Sequence, residues 1–121
     1  MSHTTIGYEE VCQISKKEKL PGATIIDVRN PGEYGSGHIP GAHNIPHTEI
    51  SAALQLNDDE FEKKYNFKRP QKNDQDHPVV LYCLAGKRCL MAADAMQSLG
   101  YSSGVLVYEN SWNEYSKKSG L

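Results

Sequence analysis

Short apolar runs alternate along the chain with segments whose apolar residues recur every three or four positions. The runs at 23–28, 79–83 and 104–108 are rich in β-branched and aromatic residues and predict strands, and a further short strand is predicted over 42–45, before Pro46. Helical spacing covers 7–17, 48–54, 58–65 and roughly 89–99, and a final helix is expected from Ser111. Strands alternating with helices predict an α/β fold with a parallel sheet between two layers of helices.

The run at 79–83 is apolar at every position. Such a run is typical of a strand that is buried on both faces, so we expect it to be the central strand of the sheet. Residues 66–77 contain hardly any apolar side chains and predict an exposed connection.

A pattern typical of a helix start follows the strand at 23–28, in the residues Asn30-Pro31-Gly32-Glu33. Asn30 can cap the helix, Pro31 fits the first helical position, and the Glu33 carboxylate can reach back to complete a capping box. We therefore expect a short helix here, followed by a loop over 35–42.

Length and composition place the chain among ordinary globular proteins. Its 121 residues fit one domain, expected to span 1–121, with 38% hydrophobic and 23% charged residues and a mean hydropathy of −0.61. A net charge of −2 does not favour nucleic acid as a partner. The amino terminus lacks a signal-peptide pattern, and the longest apolar stretch, 79–85, is too short to cross a membrane. Three irregularly spaced cysteines fit a reducing compartment, so a cytosolic location is expected.

Cys83 stands at the carboxyl end of the predicted central strand, in the turn before the next helix. Ligands of parallel sheets bind at this edge, and the following helix offers free N–H groups and its positive dipole end. Lys87 and Arg88 add two cations, which should lower the pKa of the Cys83 thiol and attract anionic substrates. We predict that Cys83 is a nucleophile.

The loop from Cys83 to Arg88 can curl around the sulfur so that backbone N–H groups point at it and form an anion-binding nest. Gly86 allows the unusual backbone angles of such a curl. No histidine adjoins the cysteine, so we expect activation by electrostatics rather than by a paired base. This favours attack on an electrophilic sulfur, with the nest holding the resulting persulfide.

Three other kinds of site are not supported by the sequence. His43 and His47 are separated by Pro46, which breaks the helix that would place them on one face, and no further metal ligand has matching spacing. Gly86-Lys87 is followed by Arg88 rather than the serine or threonine of a phosphate loop. No serine has the G-x-S-x-G setting of a hydrolase nucleophile. Neither a metal nor a cofactor is expected.

Two sequence blocks resemble the single-domain rhodaneses, which are thiosulfate sulfurtransferases. The first block is Asp27-Val28-Arg29-Asn30-Pro31-Gly32-Glu33-Tyr34 with Gly37-His38-Ile39-Pro40-Gly41-Ala42, and the second is the Cys83 loop with its helix. The C-x-x-G-K-R loop is similar to that of short eukaryotic rhodanese-like proteins, some of which are similar to thiosulfate:glutathione sulfurtransferases. One departure is Glu109-Asn110, where many rhodaneses carry Gly-Gly before the final tryptophan.

The resemblance implies a three-layer rhodanese-like domain with a central parallel sheet of about five strands. It also implies that Cys83 takes a sulfane sulfur from thiosulfate or a similar donor, mercaptopyruvate included, and passes it to glutathione or cyanide. The anionic donor would be held by Lys87 and Arg88. The thiolate and the persulfide would be stabilised by the loop backbone at Leu84, Ala85, Gly86, Lys87 and Arg88.

Four further residues match motif positions of the family: Asp27, Arg29, Glu33 and His38. We expect them to support the structure, because an ion pair between Asp27 and Arg29 and a cap by Glu33 explain them without substrate.

Other functions are compatible with the same scaffold. A phosphatase or arsenate reductase of the Cdc25 kind needs C-x-x-x-x-x-R, whereas the spacing from Cys83 to Arg88 is one residue shorter. A non-catalytic rhodanese-like binding module generally lacks the cysteine that this chain has. A third alternative is a relay carrier that delivers its sulfur to a partner protein rather than to a small thiol.

Cys89, six residues after Cys83, is a possible redox partner that would close a disulfide with Cys83 under oxidative stress. If Cys89 resolves oxidised Cys83, Cys89→Ser should make inactivation by peroxide irreversible, whereas the unchanged protein should recover with dithiothreitol. Activity after reduction measures the difference, and equal recovery of both proteins would contradict the redox role.

Overall fold

A five-stranded parallel sheet organises residues 3–120, the part of the chain that this computed structural model describes. The strands are β1 (His3–Thr5), β2 (Thr24–Asp27), β3 (His43–Asn44), β4 (Val79–Tyr82) and β5 (Val105–Val107), in the spatial order β1-β5-β4-β2-β3. The helices are α1 (Tyr8–Ser15), α2 (Pro31–Ser36), α3 (Ile50–Leu54), α4 (Asp58–Tyr65), α5 (Lys87–Ser98) and α6 (Ser111–Lys118).

Strand β4 lies at the centre of the sheet and is buried at every position. Its side chains alternate between two hydrophobic clusters: Val79 and Leu81 join the cluster with α3, α4 and α5, and Val80 and Tyr82 join the cluster with α1 and α6. Because successive side chains of a strand point to opposite faces, helices must cover both sides of such a sheet. The predicted three-layer α/β fold with a doubly covered central strand is confirmed.

Three details differ from the sequence prediction. Strand β1 was not predicted, because it is only three residues long and its side chains are polar. Its backbone pairs with β5. Helix α5 begins at Lys87, two positions before the predicted start, since its N-cap Gly86 adopts φ 111°. The connection over 66–77 is not wholly exposed: Phe67 packs edge-on against Phe61, at 5.1 Å between ring centroids.

A buried ion pair lies at the carboxyl end of β2. Arg29 donates to the Asp27 carboxylate from Nε at 3.0 Å and from Nη2 at 2.7 Å, and both side chains are almost completely buried. Tyr82, at the end of β4, donates from its hydroxyl to the same carboxylate at 2.9 Å. Nη2 of Arg29 also donates to the Gly37 carbonyl, and the guanidinium lies 5.1 Å from the ring centroid of Trp112. The pair therefore links β2, β4, the loop after α2, and α6.

The Arg29→Met variant should lose about 3 kcal/mol of unfolding free energy, because the substitution leaves the Asp27 carboxylate buried without its cation. Urea denaturation measures the loss. Lys19→Met is the matched control, since Lys19 makes an exposed ion pair with Glu10 and should stay close to the unchanged protein. Equal midpoints for the two variants would show that the buried pair does not stabilise the fold.

Candidate active site

Three neighbouring strands deliver side chains to one edge of the sheet. Cys83 follows β4, Arg29 follows β2, and Ser111 follows β5 after a short turn. All three residues are buried, Cys83 with 1% of its surface exposed. Parallel strands end at the same edge, which explains how residues far apart in the sequence come to lie at one edge of the sheet, with Ser111 Oγ 3.8 Å from the Cys83 sulfur.

The Cys83 loop is held in a tight curl by backbone contacts. The Gly86 N–H donates to Cys83 Sγ at 3.0 Å. Gly86 has φ 111°, and a Cβ atom at this position would lie 2.7 Å from the Glu109 carbonyl oxygen, so a side chain would both strain and displace the loop. The first turn of α6 fixes the start of the loop: the N–H of Trp112 donates to the Cys83 carbonyl at 3.0 Å.

The pKa of the Cys83 thiol is lowered to about 5. The largest cause is the neighbouring Cys89 side chain; the backbone N–H groups of Cys89 and Gly86 and the Ser111 hydroxyl lower the pKa further, against burial, which raises it. From the sequence we attributed the lowering to the helix dipole, to backbone N–H groups aimed at the sulfur and to two cations. The direction and the part of the N–H groups agree, but the neutral Cys89 side chain supplies the largest contribution.

The two cations of the loop have different surroundings. Arg88 donates to the Glu33 carboxylate from Nη1 at 2.7 Å and from Nη2 at 3.1 Å. This two-point contact raises the pKa of Arg88 and lowers the pKa of Glu33. Lys87 is exposed and has no ion pair within residues 3–120. For an approaching anion, the charge of Lys87 is therefore available, whereas the charge of Arg88 is already partly neutralised by Glu33.

Glu33 also acts at the start of α2. Asn30 Oδ1 accepts from the Glu33 N–H at 2.8 Å, and Glu33 Oε1 accepts from the Asn30 N–H at 3.2 Å, which completes the predicted capping box. The same carboxylate thus orients both the helix start and Arg88.

The remaining predicted residues lie around this centre. Leu84 and Ala85 are exposed on the rim of the loop. His38 is outside the curl: its ring stacks on Tyr34 at 3.8 Å, and its Nδ1 lies 2.9 Å from the Tyr34 carbonyl oxygen. Glu109, which occupies a position where many rhodaneses have glycine, directs its carboxylate to the Thr5 hydroxyl at 2.8 Å.

Ser111 was predicted only as the start of a helix, and sequence reasoning missed its contacts with the cysteine. Its Oγ accepts from the Cys83 N–H at 3.1 Å and lies 3.8 Å from the sulfur atoms of Cys83 and Cys89. Its φ of 59° is a left-handed value that a serine rarely adopts. The available signal was its position just after β5, at the sheet edge that carries Cys83.

The larger surface hollows lie away from this edge. One, of about 430 Å³, is lined by Pro78 and Gly104 at the amino ends of β4 and β5, and another, of about 600 Å³, is lined by Arg69, Lys72 and Leu99. Their linings contain no thiol. Neither hollow therefore offers the nucleophile that the sequence predicts.

This arrangement places a cysteine of lowered pKa, with a backbone N–H donating to its sulfur, at the end of the central parallel strand of an α/β fold. A family model described as a rhodanese-like domain matches residues 9–118. The chain belongs to the rhodanese-like domain family.

Its relatives include named sulfurtransferases. The putative mitochondrial thiosulfate sulfurtransferase of Schizosaccharomyces pombe is 38% identical over 112 residues, which cover 92% of this chain and 76% of that protein. The human thiosulfate:glutathione sulfurtransferase is 38% identical over 96 residues, covering 79% and 81%. The solved structure of a human single-domain sulfurtransferase superimposes with a TM-score of 0.83 at 34% identity, covering 94% of this chain and 96% of that one. The predictions of the family and of an enzyme of the sulfurtransferase class are confirmed.

The reactivity of Cys83 should follow its lowered pKa. Because the thiolate is the reactive form, alkylation by iodoacetamide should be independent of pH at neutrality and should fall roughly tenfold per pH unit below about pH 5. Mass spectrometry of the peptide that carries Cys83 gives the rate. A midpoint of the pH dependence at about 8.5, the pKa of an ordinary thiol, would contradict the thiolate assignment.

Proposed function

We propose that the chain moves a sulfane sulfur from thiosulfate, or from a similar anionic donor, through a Cys83 persulfide to a thiol such as glutathione. The observation that carries this proposal is the Cys83 sulfur itself, which is held as a thiolate by hydrogen-bond donors at the end of β4. The names of the relatives support the donor and the acceptor.

The transfer needs no external oxidant or reductant. The Cys83 thiolate attacks the outer sulfur of thiosulfate, the S–S bond of the donor breaks, and sulfite leaves with the bonding electron pair. A glutathione thiol then attacks the outer sulfur of the persulfide, the enzyme S–S bond breaks, and Cys83 returns as a thiolate. The glutathione proton ends on the product persulfide, so atoms and charges balance in both steps.

Each loop residue has a distinct role in this proposal. Lys87, exposed and free of ion pairs within residues 3–120, attracts the donor dianion. Arg88, oriented by Glu33, faces the charge that develops on the leaving sulfite. The Gly86 N–H holds the negative charge on Cys83 before the attack. The backbone of Leu84 and Ala85 forms the rim through which the substrate enters.

We also propose that one domain over 1–121 carries the whole activity, without a metal or a cofactor. Within residues 3–120 no helix combines the length and the apolar character that a membrane crossing requires. A cytosolic location stays a prediction: the name of one relative assigns that protein to mitochondria, and free thiols fit either reducing compartment.

A protein thiol is the second candidate acceptor. Leu84 and Met91 are the large hydrophobic residues that the described chain leaves most exposed, at 37% and 49%, and they lie on the Cys83 loop and on α5. An exposed leucine on the loop itself favours contact with a partner that brings its thiol to Cys83. A binding module without catalysis is less well supported, because the cysteine is present and activated.

The intact mass after incubation with thiosulfate tests the proposed function. The protein should gain the mass of one sulfur atom, Cys83→Ser should gain none, and glutathione should remove the added mass. If the mass does not change with thiosulfate or with mercaptopyruvate, the sulfurtransferase proposal fails and a binding module takes its place. An adduct that forms but resists glutathione would direct the search to a protein acceptor.

A further inference from the structure

The Glu33 carboxylate accepts three hydrogen bonds at the edge of the sheet that carries Cys83. Its Oε1 accepts from the Asn30 N–H at 3.2 Å and from Arg88 Nη1 at 2.7 Å, and its Oε2 accepts from Arg88 Nη2 at 3.1 Å. The Arg88 and Glu33 side chains are only 27% and 26% exposed, so solvent screens their ion pair less than a pair on the open surface. The capping box of α2 holds the carboxylate in this place.

The contact with Glu33 occupies the part of Arg88 that ordinarily binds anions. A guanidinium binds two oxygen atoms of one anion through two parallel N–H donors. The sulfonate end of thiosulfate presents oxygen atoms that can bind in the same way. Glu33 and the sulfur donor therefore compete for the same two nitrogen atoms of Arg88, and Glu33 is already bound there.

The other charged groups at this edge leave little positive charge for a substrate. Two ion pairs carry no net charge, Asp27 with Arg29 and Glu33 with Arg88. Lys87 is exposed and makes no ion pair within residues 3–120. Glu109 adds a negative charge after β5, and its carboxylate accepts from the Thr5 hydroxyl. The available cation at the rim is therefore Lys87.

The effect of Glu33 on a bound donor depends on the charge of that donor. The electrostatic energy between two groups is proportional to the product of their charges. In the same position, Glu33 therefore opposes a dianion twice as strongly as a monoanion and leaves a neutral reagent unaffected. A site that includes Glu33 discriminates between donors by their charge.

We propose that Glu33 is a specificity-determining residue that neutralises Arg88 and thereby shifts the donor preference of Cys83 from dianions such as thiosulfate toward singly charged donors such as organic thiosulfonates. With a thiosulfonate, the Cys83 thiolate attacks the outer sulfur, the S–S bond breaks, and a sulfinate leaves with the bonding electron pair. Atoms and charges balance without an oxidant or a reductant. The inference rests on the proposed sulfur transfer and adds the charge class of the donor.

The charge effect is measured without sulfur transfer, as the rate of Cys83 alkylation by anionic iodoacetate divided by the rate with neutral iodoacetamide. Glu33→Gln keeps an oxygen that can accept from Asn30 but removes the negative charge, so this ratio should rise about threefold or more. Glu60→Gln is the matched control and should leave the ratio unchanged. Glu60 completes the same kind of capping box, with Asn57 at the start of α4, but has no arginine partner within residues 3–120.

The donor class is measured by intact mass, as the initial rates of sulfur addition from methanethiosulfonate and from thiosulfate at equal concentrations. Glu33→Gln should shift the ratio of these rates toward thiosulfate by about threefold or more, and Glu60→Gln should not shift it. If neither reagent adds sulfur to the unchanged protein, the proposed function fails. The alkylation ratio then still decides whether Glu33 controls the charge at Cys83.

An alkylation ratio that is the same in Glu33→Gln and in the unchanged protein would overturn the proposal. Equal changes in the two glutamine variants would also overturn it, because they would assign the effect to the helix caps. An unshifted ratio of sulfur addition in Glu33→Gln would overturn the assignment of the donor class.

Should Glu33→Gln not fold, Lys87→Met decides, since this position is exposed. If Glu33 neutralises Arg88, Lys87 is the cation that attracts the anionic reagent, and its loss should lower the alkylation ratio about threefold or more. An unchanged ratio would show that Arg88 attracts anions in spite of Glu33 and would overturn the proposal.

Discussion

The buried ion pair between Asp27 and Arg29 is the interaction on which the architecture of this edge depends. A carboxylate without its cation would be very costly in the interior, so the strands and loops around the pair are held where they satisfy it. Tyr82 brings the end of β4 to the Asp27 carboxylate, and Trp112 brings the start of α6 to the guanidinium. These two segments are the ones that carry and anchor Cys83, the proposed nucleophile.

The alternation of side chains at the end of β4 places a structural residue and the proposed nucleophile on opposite faces of the sheet. Tyr82 points to the layer of α1 and α6, where it completes the charge network, and Cys83, the next residue, belongs to the opposite cluster with α5. Successive side chains of an extended chain leave on opposite faces, so one strand end serves both purposes at adjacent positions. A shift of one residue in the register of β4 would exchange the two and place a thiol in the ion-pair network.

Features that depend on neighbouring residues could be predicted from the sequence. The capping box of Asn30 and Glu33, the doubly buried β4 and the place of Cys83 all follow from local pattern. Features made by distant residues could not be predicted. Arg88 meets Glu33 across 55 positions, and Ser111 reaches the sulfur across 28, so their contacts exist only once the sheet is assembled. The largest cause of the low pKa was assigned to the wrong neighbours for a different reason: Cys89 is near Cys83 in the sequence, but a sequence shows which side chains carry charge and not where a neutral one lies.

The near-complete burial of Cys83 sets how far the proposed persulfide would reach. A persulfide lengthens the side chain by about 2 Å, so the cargo itself becomes the outermost atom of the residue. In the proposed reaction the acceptor would meet this outer sulfur, while the Cys83 side chain itself stays beneath the surface. The depth of the cysteine would then exclude bulky electrophiles from the resting form and leave the loaded sulfur as the more accessible atom.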